Sequence, residues 1–213
     1  MSRPSDSLLD RVPVVPVVVV DHVATAVPLA RALVAGGLPV IELTLRTPVA
    51  LEAIRAIADE VPEILVGAGT VLSPGQAKLA HDAGAQFLVS PGATPGLLGG
   101  MADTGLPFLP GTATVSEVIA VLETGLTEMK FFPAEASGGT AFLSSIASPV
   151  PAARFCPTGG ITAATAASYL ALPNVGCVGG SWLTPKDAVA AAVATGDWTV
   201  IETLAREAAA LRP

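Results

Sequence analysis

Lys130 stands inside the apolar run of TEMKFFPAEASGG, residues 127–139, and is one of only three lysines in the chain. A charge in such a run is costly unless it is paired or used. Side chains alternate along a strand, so Glu128, Lys130 and Phe132 share one face and Met129 and Phe131 the other. In VIELTLRT the same parity sets Glu42, Thr44 and Arg46 against Ile41, Leu43 and Leu45. An amine, a carboxylate and a guanidinium on inward faces suit nucleophilic attack on a ketone. Such attack requires a neutral, desolvated amine, and Arg46 together with an apolar wall would favour it. A carbinolamine and then an iminium would follow, the iminium acting as electron sink and Glu42 carrying protons. The same charges could equally form a structural ion pair inside the fold, and the residues alone leave both readings open.

The glycine pairs in PTGGI and VGGSW offer a second kind of chemistry. Glycine lets backbone N–H groups approach a ligand closely, and a helix N-terminus beyond it favours anions. One Gly-Gly turn is ordinary; two after successive strands suit a phosphate. The remaining polar candidates are weaker. Lys78, in SPGQAKLAHDAG, and Lys186, after WLTP, read as solvated. His22 and His81 lack ligand spacing, so no metal site and no cofactor is expected, and neither histidine lies beside a nucleophile as a Ser-His-Asp arrangement requires.

Positioning these residues falls to eight candidate strands, at 14–20, 39–45, 64–69, 86–90, 107–109, 128–132, 154–156 and 175–178. Alanine-rich helical patterns separate them, and several close on glycine, at Gly36, Gly84, Gly105 and Gly125. Strand–helix units repeating about every 20 to 25 residues predict right-handed crossovers and a parallel sheet. Eight of them close most naturally into an α/β, single-domain (β/α)8 TIM barrel spanning 1–213. The alternative, an open doubly wound sheet, expects an early GxGxxG, and GAGTVLSPG fails that pattern at Leu72. In a barrel, chemistry sits at the C-terminal strand ends, where ELTLRT, GAGT, SPG, KFFPAE, PTGG and GGSW fall.

The composition fits one soluble globular domain: 213 residues, 51% hydrophobic and 14% charged. A net charge of −7 with no basic block argues against nucleic acid as partner. The run VPVVPVVVV, residues 12–20, is too short to span a bilayer and holds two prolines, so it reads as a buried strand and not an export signal. Cys156 and Cys177 read as core residues. A cytoplasmic protein without membrane association is expected.

VIELTLRT, VGAGTVL, SPG, KFFPAE, RFCPTGG and VGGSWL, in this order, resemble the class I 2-keto-3-deoxy-6-phosphogluconate (KDPG) aldolases, a family that includes 4-hydroxy-2-oxoglutarate (KHG) aldolase activity. The resemblance implies a barrel, usually a homotrimer, that cleaves a phosphorylated keto acid to pyruvate and glyceraldehyde 3-phosphate. It implies Lys130 as Schiff-base lysine and Glu42 as general acid/base. Arg46 and Thr70 would hold the pyruvyl carboxylate, Pro91 and Phe132 line the pocket, and Thr158 hydrogen-bond the substrate. Gly159, Gly160, Gly180 and Ser181 would cradle phosphate. An aldolase for the galactonate epimer and a phosphosugar-binding barrel without turnover are the competing readings.

Overall fold

In a computed structural model, which describes residues 7–211, the alternating pattern becomes alternating strands and helices; the ends of the expected 1–213 domain lie outside the described residues. The order is β1 (Val14–Val18), α1 (Val23–Ala35), β2 (Val40–Thr44), α2 (Ala50–Glu60), β3 (Leu65–Gly69), α3 (Pro74–Asp82), β4 (Phe87–Val89) and α4 (Pro95–Ala102). Then come β5 (Phe108–Leu109), β6 (Gly111–Thr112), α5 (Val115–Leu122), β7 (Glu128–Phe131), α6 (Gly139–Ala147), β8 (Arg154–Pro157), α7 (Ala163–Leu170), β9 (Val178–Gly180), α8 (Lys186–Thr195) and α9 (Thr199–Ala209).

Local chemistry fixes the helix starts. Ser73 and Thr94 each accept a backbone N–H from the first turn and are followed by proline. Thr114 and Glu117 form a reciprocal capping box on α5. These groups satisfy donors that a helix start leaves unpaired. At the other ends, Gly84, Gly105 and Gly125 take left-handed φ as expected. After α1 that role falls to Gly37 and not Gly36.

All pairings between these strands are parallel. They form a six-stranded sheet, β5-β4-β3-β2-β1-β9, and a three-stranded sheet, β6-β7-β8. Isolated parallel bridges join Phe155 to Val175 and Thr158 to Gly179. The fifth expected strand, 107–109, is longer and divided. It leaves the larger sheet after Leu109 and joins the smaller at Gly111, with Pro110, which has no N–H to donate, between. The last strand is shifted from 175–178 to Val178–Gly180, because β1 sets its register: Val14 faces Val178 and Pro16 faces Gly180.

Helices cover the sheets' outer faces, as α2 does with Ala53, Ile54 and Ile57, all fully buried. Outward Ile41 and Leu43 of β2 are also fully buried. Inward positions follow from register, since partners in a parallel pair share a face. Val17, Glu42 and Gly67 form one row, Thr44 and Gly69 another, and Gly111, Lys130 and Cys156 a third.

Candidate active site

The two charges singled out by parity meet in the interior. Lys130 is 4% exposed and Glu42 2%, and Lys130 Nζ donates to Glu42 Oε1 at 3.2 Å. They come from β7 and β2, 88 residues apart in sequence. Room for the carboxylate comes from Gly69, opposite Thr44 on β3. A Cβ there would lie 2.6 Å from Glu42 Cγ and 2.8 Å from Cδ, so the site needs glycine for space. Lys130 Nζ also sits 5.3 Å from the centroid of the Phe132 ring, a favourable distance for a cation over an aromatic face. Burial makes the ion pair interdependent: removing either partner leaves an uncompensated charge in a poorly hydrated interior.

Thr44, on the same inward row as Gly69, is fully buried and donates to the Val18 carbonyl at 3.0 Å. It braces β2 against β1. Arg46 departs from simple parity. The strand ends at Thr44, and the chain turns with the Arg46 N–H donating to the Thr44 carbonyl at 2.8 Å. The exposed Arg46 side chain then donates through Nε to Thr70 Oγ1 at 3.1 Å. Thr70 has φ 58, a left-handed conformation that costs a β-branched residue about 1–3 kcal/mol. Strain of that kind is concentrated at functional sites.

Beside this pair a cavity of about 230 Å³ is lined by Arg46, Phe132, Thr158, Gly159, Gly160 and Ser181, with Val17, Val19, Ile161 and Gly179 completing the wall. Five of the expected site residues lie outside that lining. Lys130 adjoins it through Phe132, with Glu42 behind the amine, and Thr70 adjoins it through Arg46. Gly180 ends β9 between the lining residues Gly179 and Ser181. Pro91 stands further off, its backbone packed against Gly111, the register partner of Lys130. Thr158 is 6% exposed, and its hydroxyl reaches the Cys156 carbonyl at 3.4 Å. Gly159 and Gly160 have φ of 100 and 82, which L side chains rarely adopt.

Sequence reasoning missed Val17 and Val19. Val17 lies in register with Glu42, so extending the parity across neighbouring strands would have found it; Cys156, expected in the core, is buried there in register with Lys130. It also missed Tyr169, fully buried on α7, whose hydroxyl donates to Glu135 Oε1 at 2.6 Å. Burial, and secondarily the Glu135 carboxylate, push the Tyr169 phenol well up, keeping it a donor. A larger cavity, about 600 Å³, lies along α4 and α5 with Leu98, Phe108, Val121 and Leu126 in its wall. It contains no lysine. Among the described residues no three His, Cys, Asp or Glu side chains gather as metal ligands.

Residues 5–204 match the family model described as KDPG and KHG aldolase. The KHG/KDPG aldolase of Escherichia coli (strain K12) is 54% identical over 204 residues, covering 96% of this chain and 94% of that protein. Among solved structures, KDPG aldolase from Legionella pneumophila, with pyruvate captured at low pH as a covalent carbinolamine intermediate, superposes with TM-score 0.90. It is 44% identical, covering 95% of this chain and 96% of that one. The Zymomonas mobilis ZM4 2-keto-3-deoxy-6-phosphogluconate aldolase with 3-phosphoglycerate also gives 0.90, at 47% identity over 97% of this chain and 95% of that one.

Proposed function

The chain belongs to the KDPG and KHG aldolase family, and from that premise we propose that Lys130 is its Schiff-base nucleophile and Glu42 its proton carrier. The protein is a class I aldolase that cleaves 2-keto-3-deoxy-6-phosphogluconate reversibly to pyruvate and glyceraldehyde 3-phosphate. The observation that carries the assignment is the buried contact of 3.2 Å between Lys130 Nζ and Glu42 Oε1, beside the cavity at the C-terminal strand ends. The pyruvate carbinolamine of the Legionella pneumophila relative supports it.

Passing a proton from Lys130 to Glu42 frees the amine lone pair, which attacks C2 of the substrate. Glu42 gives that proton to the C2 oxygen, takes one from the nitrogen and passes it to the same oxygen, which leaves as water, and an iminium forms. Abstraction of the C4 hydroxyl proton by Glu42 then lets the C3–C4 bond break. The aldehyde departs, and the bonding electrons move into the iminium as an enamine. Protonation at C3 and addition of water release pyruvate and restore the amine. Proton transfer by a placed carboxylate contributes about 10² to 10⁴ in rate.

Arg46, fixed by Thr70, holds the substrate carboxylate. Phe132 and Pro91 wall the pyruvyl end, and Thr158 hydrogen-bonds the substrate. Gly159, Gly160, Gly180 and Ser181 receive the phosphate. Activity on 4-hydroxy-2-oxoglutarate belongs to the same reading, supported by the name of the Escherichia coli relative. So do closure of the two sheets into a (β/α)8 barrel of one domain, 1–213, a homotrimer, and a cytoplasmic location. The bridge from Thr158 to Gly179 supports closure. Among the described residues no helix is long and apolar enough to cross a membrane.

Pyruvate release by purified variants tests the assignment. Lys130→Ala is expected to lose turnover entirely, and Glu42→Gln to retain a slow residue of it about 10² to 10⁴ below the parent. Full activity in Lys130→Ala refutes the nucleophile.

A further inference from the structure

A second cavity, about 380 Å³, is lined by Glu135, Gly138, Gly139, Thr140, Thr165 and Tyr169 among others. Gly159 and Gly160 line the cavity beside Lys130 but not the second; Glu135 lines the second but not the first. Glu135 meets both surroundings: it lines the second cavity, and its stem packs against Gly160 of the first. A Cβ on Gly160 would lie 2.6 Å from Glu135 Cγ and 2.8 Å from its Cβ, so the stem presses directly on the glycine turn. Backbone bonds tie the same segments together: the Ala134 N–H donates to the Thr158 carbonyl at 2.8 Å, and the Glu135 N–H to the Gly159 carbonyl at 3.1 Å.

A carboxylate on so short a tether could swing over the turn, and there it would repel an anion. Its observed direction is set by Tyr169, whose hydroxyl donates to Oε1 at 2.6 Å from a fully buried position on α7. The second oxygen points towards Gly139, where a Cβ would stand 3.8 Å from Oε2 and 3.1 Å from the tyrosine hydroxyl. Gly139 opens α6, an end that favours negative charge. The carboxylate is thus anchored away from the turn by a donor that stays protonated.

We propose that Tyr169 is a positioning residue for substrate phosphate: its hydroxyl holds the Glu135 carboxylate at the second cavity and off the Gly159–Gly160 turn. The inference rests on the reading of that turn as part of the phosphate cradle. Freed, the charge would compete with the phosphate for the turn's N–H groups and weaken phosphorylated substrates selectively.

The test compares kcat and KM for phosphorylated and unphosphorylated substrates. The parent comes first, since indifference to phosphate there removes the cradle itself. Given a parent preference for phosphate, Tyr169→Phe is expected to raise KM for the phosphorylated substrate about tenfold, the scale of a lost hydrogen bond to a charged group. Its kcat, its KM for the unphosphorylated substrate and its rate of pyruvate trapping are expected to hold. Adding Glu135→Gln to Tyr169→Phe should restore KM. An equal loss with both substrates, no loss, or no restoration overturns the proposal. Glu135→Gln in the parent background tests it even if Tyr169→Phe fails to fold. There KM should stay unchanged, and a marked fall would mean that the charge already faces the phosphate.

Discussion

Replacing Gly69 with alanine perturbs the candidate active site through space alone, without altering a charge. The new methyl would lie 2.6 Å from Glu42 Cγ, whereas ordinary contact begins near 3.4 Å. The carboxylate must therefore retreat by about 1 Å to reach ordinary packing distance. At 2% exposure it has no solvent to retreat into, and its movement disturbs the 3.2 Å contact with Lys130. Overpacking of this kind costs about 1–3 kcal/mol. For a chain of this size that lowers Tm by about 2–12 °C. A catalytic group misplaced by about 1 Å loses about a hundredfold in rate. Steady-state pyruvate release and a thermal melt on the same preparation check both effects. Adding Glu42→Asp, which shortens the obstructed side chain, should recover part of the lost Tm without recovering kcat. A Gly69→Ala protein with parental kcat and Tm would refute the account of how the carboxylate is seated.

Arg46→Lys should raise KM for pyruvate-derived substrates about tenfold or more, because a planar guanidinium grips a carboxylate through two bonds and an ammonium does not; steady-state kinetics reads this, and an unchanged KM refutes the carboxylate role. Glu117 supplies a pH-dependent term in stability. The Ala113 N–H, and after it the Thr114 hydroxyl and N–H, hold its carboxyl below the usual range despite some desolvation. A depressed folded value means stability fully present above the unfolded carboxylate range and lost as pH falls through the folded value. Glu117→Gln should accordingly lower Tm slightly at neutral pH, by the equivalent of about 0.5 kcal/mol for so exposed a group. The two melting curves should converge as pH drops below that range, and a gap that persists there would contradict the charge-based origin.

Alternation makes much of this molecule readable from its sequence alone. VIELTLRT buries both faces of one strand, so the polar members of the alternation had to face the interior, and Glu42 does. Lys130 follows from the same parity in β7. The rule stopped where the strand stopped: Arg46 follows a turn closed on Thr44, and the bond to Thr70 rather than the pleat directs it. Strand limits were less legible because partners set them. The strand expected over 107–109 resumes beyond Pro110 in the other sheet, and β1 draws β9 two glycines beyond its β-branched run. The closeness of Glu135 and Tyr169 had no local signature, since 34 residues and two intervening elements, α6 and β8, separate them. Such contacts arise from tertiary packing and leave no periodicity to read.

Borohydride reduction in the presence of pyruvate, followed by peptide mapping, tests the central claim most directly. It should leave one reduced pyruvyl adduct, on the peptide that carries Lys130, and none in Lys130→Ala. An adduct on Lys78 or Lys186, or no adduct from an enzyme that still releases pyruvate, would contradict it.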